Sequence, residues 1–481
     1  MRPAVTASTS TPVAHRPRAR LAALLTAAAL LGGCASFGPD GGFAPVEQAA
    51  KQRLGKELRW ARSDAERDTL EQRVAELLAA PLRVDDAVQV ALFNNRGLQA
   101  TFLELGISEA ELVQAGRLPN PGFSYSRQKQ GGEVEIERAL VFNLAHLLAM
   151  PLIGEMEQRR FAQTQALATL QVLGLAADTR KAYFTAVAAG ETVRYMRQVM
   201  LAAEASAELA RRMQQVGNFN KLQRAREQSF YADAALNLAR AEQAERAARE
   251  RLTRLLGVWG AHTTYSLPER LPDLPDTVRE QPDIERLAMA QRLDVQAAKL
   301  AAEHTAQNLG LTRATRFVNV LEVGGIYNSF NDAPSQRGWE IGFELPLFDW
   351  GDARVAKAEA IYLQALDRAA QTAIDARSEV REAYGGYRSA YDIARFQREQ
   401  IVPLRKQIAE ENLLRYNGML IGVFELLADA RAQIASVNST IVALRDFWIA
   451  QSDLDMALIG KPSLALPAGP AAGADAGGPA H

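Results

Sequence analysis

RFVNVLEVGGIYNSFNDAPSQRGWEIGFELPLFDWG runs from Arg316 to Gly351, and its second half alternates. Trp339, Ile341, Phe343 and Leu345 fall on one side, while Glu340, Gly342 and Glu344 fall on the other. A period of two marks a strand with one apolar face and one wet face. The polar loop from Asn331 to Arg337 makes this strand the return arm of a hairpin spanning 317–346. Long stretches rich in Ala, Leu, Arg, Glu and Gln lie on both sides and read as helix. Such a chain crosses one barrier as sheet and continues far beyond it as helix.

Outward from this stretch, the chain repeats itself at an interval of roughly 200 residues, a duplication of half the molecule. Arg180-Lys181-Ala182-Tyr183 is echoed by Arg381-Glu382-Ala383-Tyr384. Gly217, Phe219, Leu222, Ala225, Arg226 and Gln228 are echoed by Gly422, Phe424, Leu427, Ala430, Arg431 and Gln433. Leu98-Gln99-Ala100 pairs with Val295-Gln296-Ala297, and Pro151 with Pro346. The first repeat, 81–257, opens with helices at Val84 to Asn94 and Arg96 to Gly116. A hairpin follows at 122–144, turning at Gly131-Gly132, with Glu133, Glu135 and Glu137 on its wet face and Arg138 as the misfit on its apolar face. A long helix from about Ile153 to Val216 breaks at Gly217-Asn218 and returns from Phe219 to Leu256. A Pro-punctuated connector, 258–282, leads to the second repeat, 283–460. There Asp283 to Thr315 supplies the short helices, Asp352 to Tyr416 the long one, and Val423 to Ile459 the return after a break at Gly418 to Gly422. Helices of about 60 residues span about 90 Å. Val380, Tyr384, Tyr387, Tyr391 and Ala394 step by four and three, as a coiled-coil seam does, and Pro403 predicts a kink.

Two hairpins supply four strands per chain. Four strands cannot close a barrel, and an open edge cannot face lipid because its backbone groups would go unpaired. Copies must pool strands, and three of them supply twelve, enough for an open lumen. The predicted class is therefore an α+β membrane protein, a trimeric twelve-stranded β-barrel continued by a long α-helical coiled-coil barrel. Trp339, Ile341, Phe343 and Leu345 then face lipid, and Glu340 and Glu344 the lumen. Phe348 and Trp350 suit an interfacial aromatic girdle. A soluble antiparallel sheet with one wet face is the other reading of the same alternation.

The 481 residues carry a formal net charge of -1, with no basic excess to neutralise nucleic-acid phosphates. No apolar run of about 18 residues occurs in the body, so no transmembrane helix is expected after processing. Arg16, Arg18 and Arg20 precede the apolar run Leu21 to Leu31, the form of a secretory signal over 1–33. Leu31-Gly32-Gly33-Cys34 resembles the lipobox of bacterial lipoproteins, with an ordinary signal peptide as the alternative. Lipidation at Cys34 would anchor the chain through several acyl groups. The lone cysteine excludes an intrachain disulfide and a cysteine-based metal cluster. Residues 34–80 read as a linker and a charged helix, and 461–481 as a low-complexity tail. His15, His146, His262, His304 and His481 show no metal-ligand spacing, and neither a nucleophile elbow nor a phosphate loop occurs. No enzyme, cofactor or metal is expected.

The duplicated helix–hairpin–long helix order, the Pro-Leu-Phe-Asp-Trp-Gly stretch at Pro346 to Gly351 and the lipobox resemble the TolC-like outer membrane factors. The closer resemblance is to their lipoprotein branch, which serves resistance-nodulation-division (RND) efflux systems. It covers Pro81 to Gly460. The resemblance implies a homotrimer in the outer membrane that docks a periplasmic adaptor and an inner-membrane RND pump and passes substrate outward without chemistry. It also implies that the tips at Gly217, Asn218, Gly418 and Gly422 contact the adaptor, and that acids just past the second tip ring a constriction. The matching acids are Glu425 and Asp429, four apart on one helix face. Family members usually carry the second acid three residues after the first, where this chain has Ala428. Both acids also suit the positive end of a helix. The alternative function is a structural envelope-spanning lipoprotein with no conducting lumen.

Overall fold

A computed structural model describes residues 36–317 and 320–462. The signal segment 1–33, Cys34 and the tail from residue 463 lie outside the described residues. Two compact units form. One holds Glu109–Gln158 and Gln307–Ala356 with the described residues up to Pro39; the other holds Asp40–Ser108, Arg159–Ala306 and the described residues from Lys357 onward.

The first unit is built on one antiparallel sheet of β1 (Gly122–Gln130), β2 (Glu133–Asn143), β3 (Leu321–Phe330) and β4 (Gln336–Phe343), in chain order. Each hairpin forms where the alternation predicts it. The two-residue turn Gly131-Gly132 joins Gln130 to its partner Glu133. The two hairpins also pair with one another, β2 to β3, which makes one continuous sheet. Asn331 clasps the turns together. Its side-chain oxygen accepts from the Val134 N–H at 2.8 Å, its amide donates to the Gly132 carbonyl at 2.9 Å, and its backbone N–H donates to the Val134 carbonyl at 3.3 Å. Past β4 the chain turns at Gly351, whose φ is +73°. A Cβ there would lie 2.6 Å from the Arg316 carbonyl oxygen, so the Pro346 to Gly351 stretch can end only in glycine.

Helices α1 (Ala44–Leu54), α2 (Asp64–Leu78), α3 (Val84–Asn94) and α4 (Arg96–Ala115) precede the sheet. Then α5 (Leu144–Gln215) runs 72 residues, about 108 Å at 1.5 Å per residue. It begins nine residues before the predicted start. Asn143 closes β2 and at once accepts the His146 N–H on its side chain at 2.8 Å, so no loop is needed. Pro151 consequently lies inside a helix, whereas its sequence counterpart Pro346 lies in irregular chain before a helix. The remaining helices are α6 (Lys221–Leu256), α7 (Ile284–Gln291), α8 (Leu293–Ala314), α9 (Asp352–Phe396), α10 (Val402–Asn417) and α11 (Val423–Ala457). Where Pro403 predicts a kink, one π turn, Gln397–Ile401, joins α9 to α10. The Val402 N–H reaches back five residues to the Gln397 carbonyl, a widened turn just ahead of the proline ring.

The second unit's cores follow the amphipathic faces. Val46, Ala50, Leu58, Val88, Leu92, Phe102 and Val172 are buried together, so the N-terminal helices seal onto the body. Tyr183 of the repeated motif is buried, donates to the Leu82 carbonyl at 3.0 Å and is pushed up to about 12 by burial. The predicted seam forms: Val380, Tyr387, Tyr391 and Ala394 are buried, with Tyr384 packed beside them. Tyr387 and Tyr391 pack on Phe447 at 5.6 and 5.8 Å between ring centres. Their hydroxyls also hold the connector, Tyr387 accepting from the Arg279 N–H and Tyr391 donating to the Asp276 carbonyl. Arg398, which interrupts the seam in sequence, donates to the Leu274 carbonyl at 3.1 Å. Arg292 is only 1% exposed and bridges Asp294 and Glu379 at 2.6 Å each. Burial alone would lower its pKa; the hydrogen bonds it donates to the two carboxylates hold it above the ordinary value.

Candidate conduit lining and gate

In an antiparallel sheet, directly paired residues share a face. The registers therefore assign every strand residue to a side. One face carries Glu133, Glu135, Glu137, Glu322 and Glu340, and none of its strand residues is Lys or Arg. The opposite face carries Phe123, Leu140, Phe142, Leu321, Val323, Trp339, Ile341 and Phe343, and none of its strand residues is acidic. Trp339 is 76% exposed. Val141, Ile326 and Phe330 are the large apolar residues on the acidic face. Glu340 lies across Gly324, where an added Cβ would sit 2.6 Å from its Oε1. Glu344 and Leu345 come just past the last paired residue and are exposed. Phe348 is 98% exposed, and Trp350 also faces outward.

Arg138, the misfit, lies between two tyrosines. Its guanidinium is 5.9 Å from the Tyr125 ring centre and 5.8 Å from that of Tyr327, its two cross-strand partners. It also donates to the Ser329 hydroxyl at 3.2 Å.

The helical tips belong to the second unit. At the first, Gly217 takes a φ of +83°, the left-handed conformation that ends a helix cheaply in glycine. Asn220 then caps α6 in a reciprocal box with Gln223. At the second tip the left-handed residue is Met419, φ +59°, and Gly422 is an extended N-cap with no side chain to offer. The sequence echo that pairs Gly217 with Gly422 thus joins two glycines with different backbone roles. Gly217, Asn218, Gly418 and Gly422 are all exposed, as are Met419 and Leu420. Glu425 is exposed in the first turn of α11, where a carboxylate complements the unsatisfied N–H groups; Asp429, one turn on, is half-buried.

A residue that the sequence reading passed over ties this region together. Glu227 of α6 is 2% exposed and accepts from Ser206 of α5 at 2.8 Å. Arg431 of α11 reaches it at 3.2 and 3.3 Å and lies 4.2 Å from the centre of the Phe230 ring. Three helices meet at the buried Glu227 carboxylate, and Arg431, which reaches it from α11, lies two residues beyond Asp429. The only sequence signal is the echo that singled out Arg431; Glu227 looks like any acid on a polar helix face.

Among the described residues, no helix is long and apolar enough to cross a membrane, and no group of three or more His, Cys, Asp or Glu is placed to hold a metal ion. No protein-family model and no curated protein matches the chain. Solved structures do. The CmeC outer membrane channel of Campylobacter jejuni superposes with a TM-score of 0.68 at 18% identity, over 78% of this chain and 85% of that one. The open state of the Neisseria gonorrhoeae MtrE outer membrane channel gives 0.65 at 20% identity, over 79% and 89%. The outer membrane protein VceC of Vibrio cholerae gives 0.66 at 14% identity, over 79% and 96%. The chain has the fold of the TolC-like outer membrane factors that its sequence resembles.

Proposed function

We propose that the chain is the outer membrane exit duct of a tripartite efflux system. Three copies pool their strands into a twelve-stranded barrel whose acidic faces line the lumen and whose apolar faces meet lipid. The observation that carries this reading is the segregation of charge across the sheet together with the two edges, β1 and β4, that have no partner strand among the described residues. An edge in hydrocarbon must pair, and joining β1 to the β4 of a neighbouring copy repeats the sheet until it closes. The long helices continue the duct into the periplasm, and Cys34 tethers the chain to the membrane. The exposed Met419 and Leu420 beside Gly418, and the tip at Gly217 and Asn218, suit contacts with a periplasmic adaptor, which couples the duct to an inner-membrane RND pump. The sequence repeats, 81–257 and 283–460, each contribute one hairpin and one helical tip.

Conduction is passive, and no catalytic residue is involved. Glu133, Glu135, Glu137, Glu322 and Glu340 from each copy favour cations in the lumen, as carboxylate rings do. Glu425 and Asp429 serve as the acids of the periplasmic constriction. Single-channel conductance of the purified protein in phosphatidylcholine bilayers tests this. Discrete, cation-preferring openings are expected, with the preference weakened in Glu425→Ala/Asp429→Ala. Openings indifferent to the double substitution would keep the duct and remove the gate acids. No conductance from well-folded protein would leave a structural envelope lipoprotein.

A further inference from the structure

The lipid-facing side of the sheet is graded along its strands. Nearest the helices come the rows Leu321–Phe343, Phe142–Val323–Ile341 and Phe123–Leu140–Trp339. The next row on that face is Tyr125–Arg138–Tyr327–Arg337. Beyond it, towards the turns, come Arg127 beside Ile136 and Ser329, and then Lys129 beside Val134. From Leu321 to Tyr327 is about 20 Å along the strand at ~3.4 Å per residue. The three apolar rows span about 14 Å of that at ~3.4 Å per residue, and a row of alternating tyrosine and arginine tops them, with further cations beyond.

These cations have no carboxylate to answer them. None of the strand residues on this face is acidic, and among the described residues Arg127, Lys129, Arg138 and Arg337 form no ion pair with a carboxylate. Arg138 and Arg337 instead lie against tyrosine rings, each 5.8 Å from the centre of Tyr327. A ring orients a guanidinium without neutralising it. A planar guanidinium donates two parallel N–H bonds to a pair of anionic oxygens, and a phosphate presents such a pair.

We propose that this row is a binding site for phosphate-bearing acidic lipids of the outer leaflet. Their headgroups sit on Arg138 and Arg337 with Arg127 and Lys129 above, and their acyl chains run down the apolar rows below. The inference rests on the duct reading, because it needs this face in a bilayer. A free phosphate ion would satisfy the cations but would not use the apolar rows beneath them. The site therefore selects a lipid.

Trp339 lies in the adjacent apolar row on the same face, so brominated lipids report on the site by quenching its fluorescence. Full-length protein is reconstituted in phosphatidylcholine vesicles containing brominated phosphatidylglycerol or brominated phosphatidylcholine. The wild type should prefer phosphatidylglycerol by about 25-fold, since a cation near an anionic leaflet contributes about fivefold and Arg138 and Arg337 both touch the headgroup. Arg138→Gln/Arg337→Gln should reduce the preference to about twofold or less, while Arg138→Lys/Arg337→Lys, which keeps the charge without the bidentate fork, should retain an intermediate preference. Bilayer conductance in pure phosphatidylcholine should be unchanged in both variants, which shows that they fold and insert. Equal quenching by the two lipids in the wild type, or a preference that survives the glutamine substitutions, overturns the site and leaves the duct intact. Loss of the preference in excess inorganic phosphate overturns the assignment to lipid. Absence of quenching by either lipid, with no conductance, removes the duct reading and this one with it.

Discussion

Replacing Arg431 with leucine should loosen the start of α11 while leaving the rest of the chain folded. The carboxylate it pairs with is 2% exposed, but the Arg431 side chain is 38% exposed. Removing one partner of a fully buried pair costs about 3–5 kcal/mol, and a fully exposed pair is worth about 0–1 kcal/mol. The geometry lies between these, and Glu227 keeps the Ser206 hydroxyl at 2.8 Å, so about 2 kcal/mol is expected. Each 1.4 kcal/mol is a factor of ten, so amide hydrogen exchange over the first turns of α11 should speed up about thirtyfold. Glu227→Gln keeps hydrogen-bonding capacity and should cost less. Residues in direct contact couple, so the Glu227→Ala/Arg431→Ala pair should fall short of the sum of its single substitutions by about 1 kcal/mol. Exchange within threefold of wild type in Arg431→Leu would refute the argument, since the buried carboxylate would then be satisfied without its partner.

Two further outcomes follow from local geometry. Gly324→Ala should lower stability by about 1–3 kcal/mol in thermal unfolding, because the new Cβ meets Glu340 Cγ at 2.9 Å as well as its Oε1. Gly325→Ala, next along the strand with open space around it, should stay within about 0.5 kcal/mol. Near the end of α5, hydrogen bonds from Arg211 and Arg212 depress the Glu208 carboxyl to about 2. A depressed acid stabilises the fold above its unfolded pKa, so its contribution is whole above about pH 4.5 and fades as pH falls towards 2. Exchange in the last turns of α5 should rise across that window in wild type and show no such step in Glu208→Gln.

What the sequence disclosed depended on whether the signal was local. Alternation from Trp339 to Phe343 is local, so β4 and its two faces were legible, as were the short helices Val84–Asn94 and Arg96–Ala115. The seam at Val380, Tyr387 and Tyr391 was legible because helical spacing is also local. The start of α5 was not: Asn143 is both the last strand residue and the helix cap, and a proline eight residues into a helix resembles a boundary. Arg138 looked misplaced because its partners, Tyr125 and Tyr327, are set by register, which no single strand reveals. Gly217 and Gly422 match as letters but differ in backbone, since Met419 takes the left-handed turn at the second tip. Glu227 could not be singled out, because its burial depends on Ser206 and on Arg431, which is 204 residues away.

The Asn331 clasp bears on fidelity of assembly. β2 and β3 come from separate repeats, so no turn sets their alignment, and side-chain period allows a slip of one residue at little backbone cost. Such a slip would exchange the faces of β3, swinging Glu322 outward and Leu321 inward. Asn331 bonds both Gly132 and Val134 at the turn end, and a chain seated one residue out of step cannot close that clasp. One asparagine thus proofreads the join between the two halves, since a misaligned copy would mix carboxylates into the apolar face and apolar side chains into the acidic one.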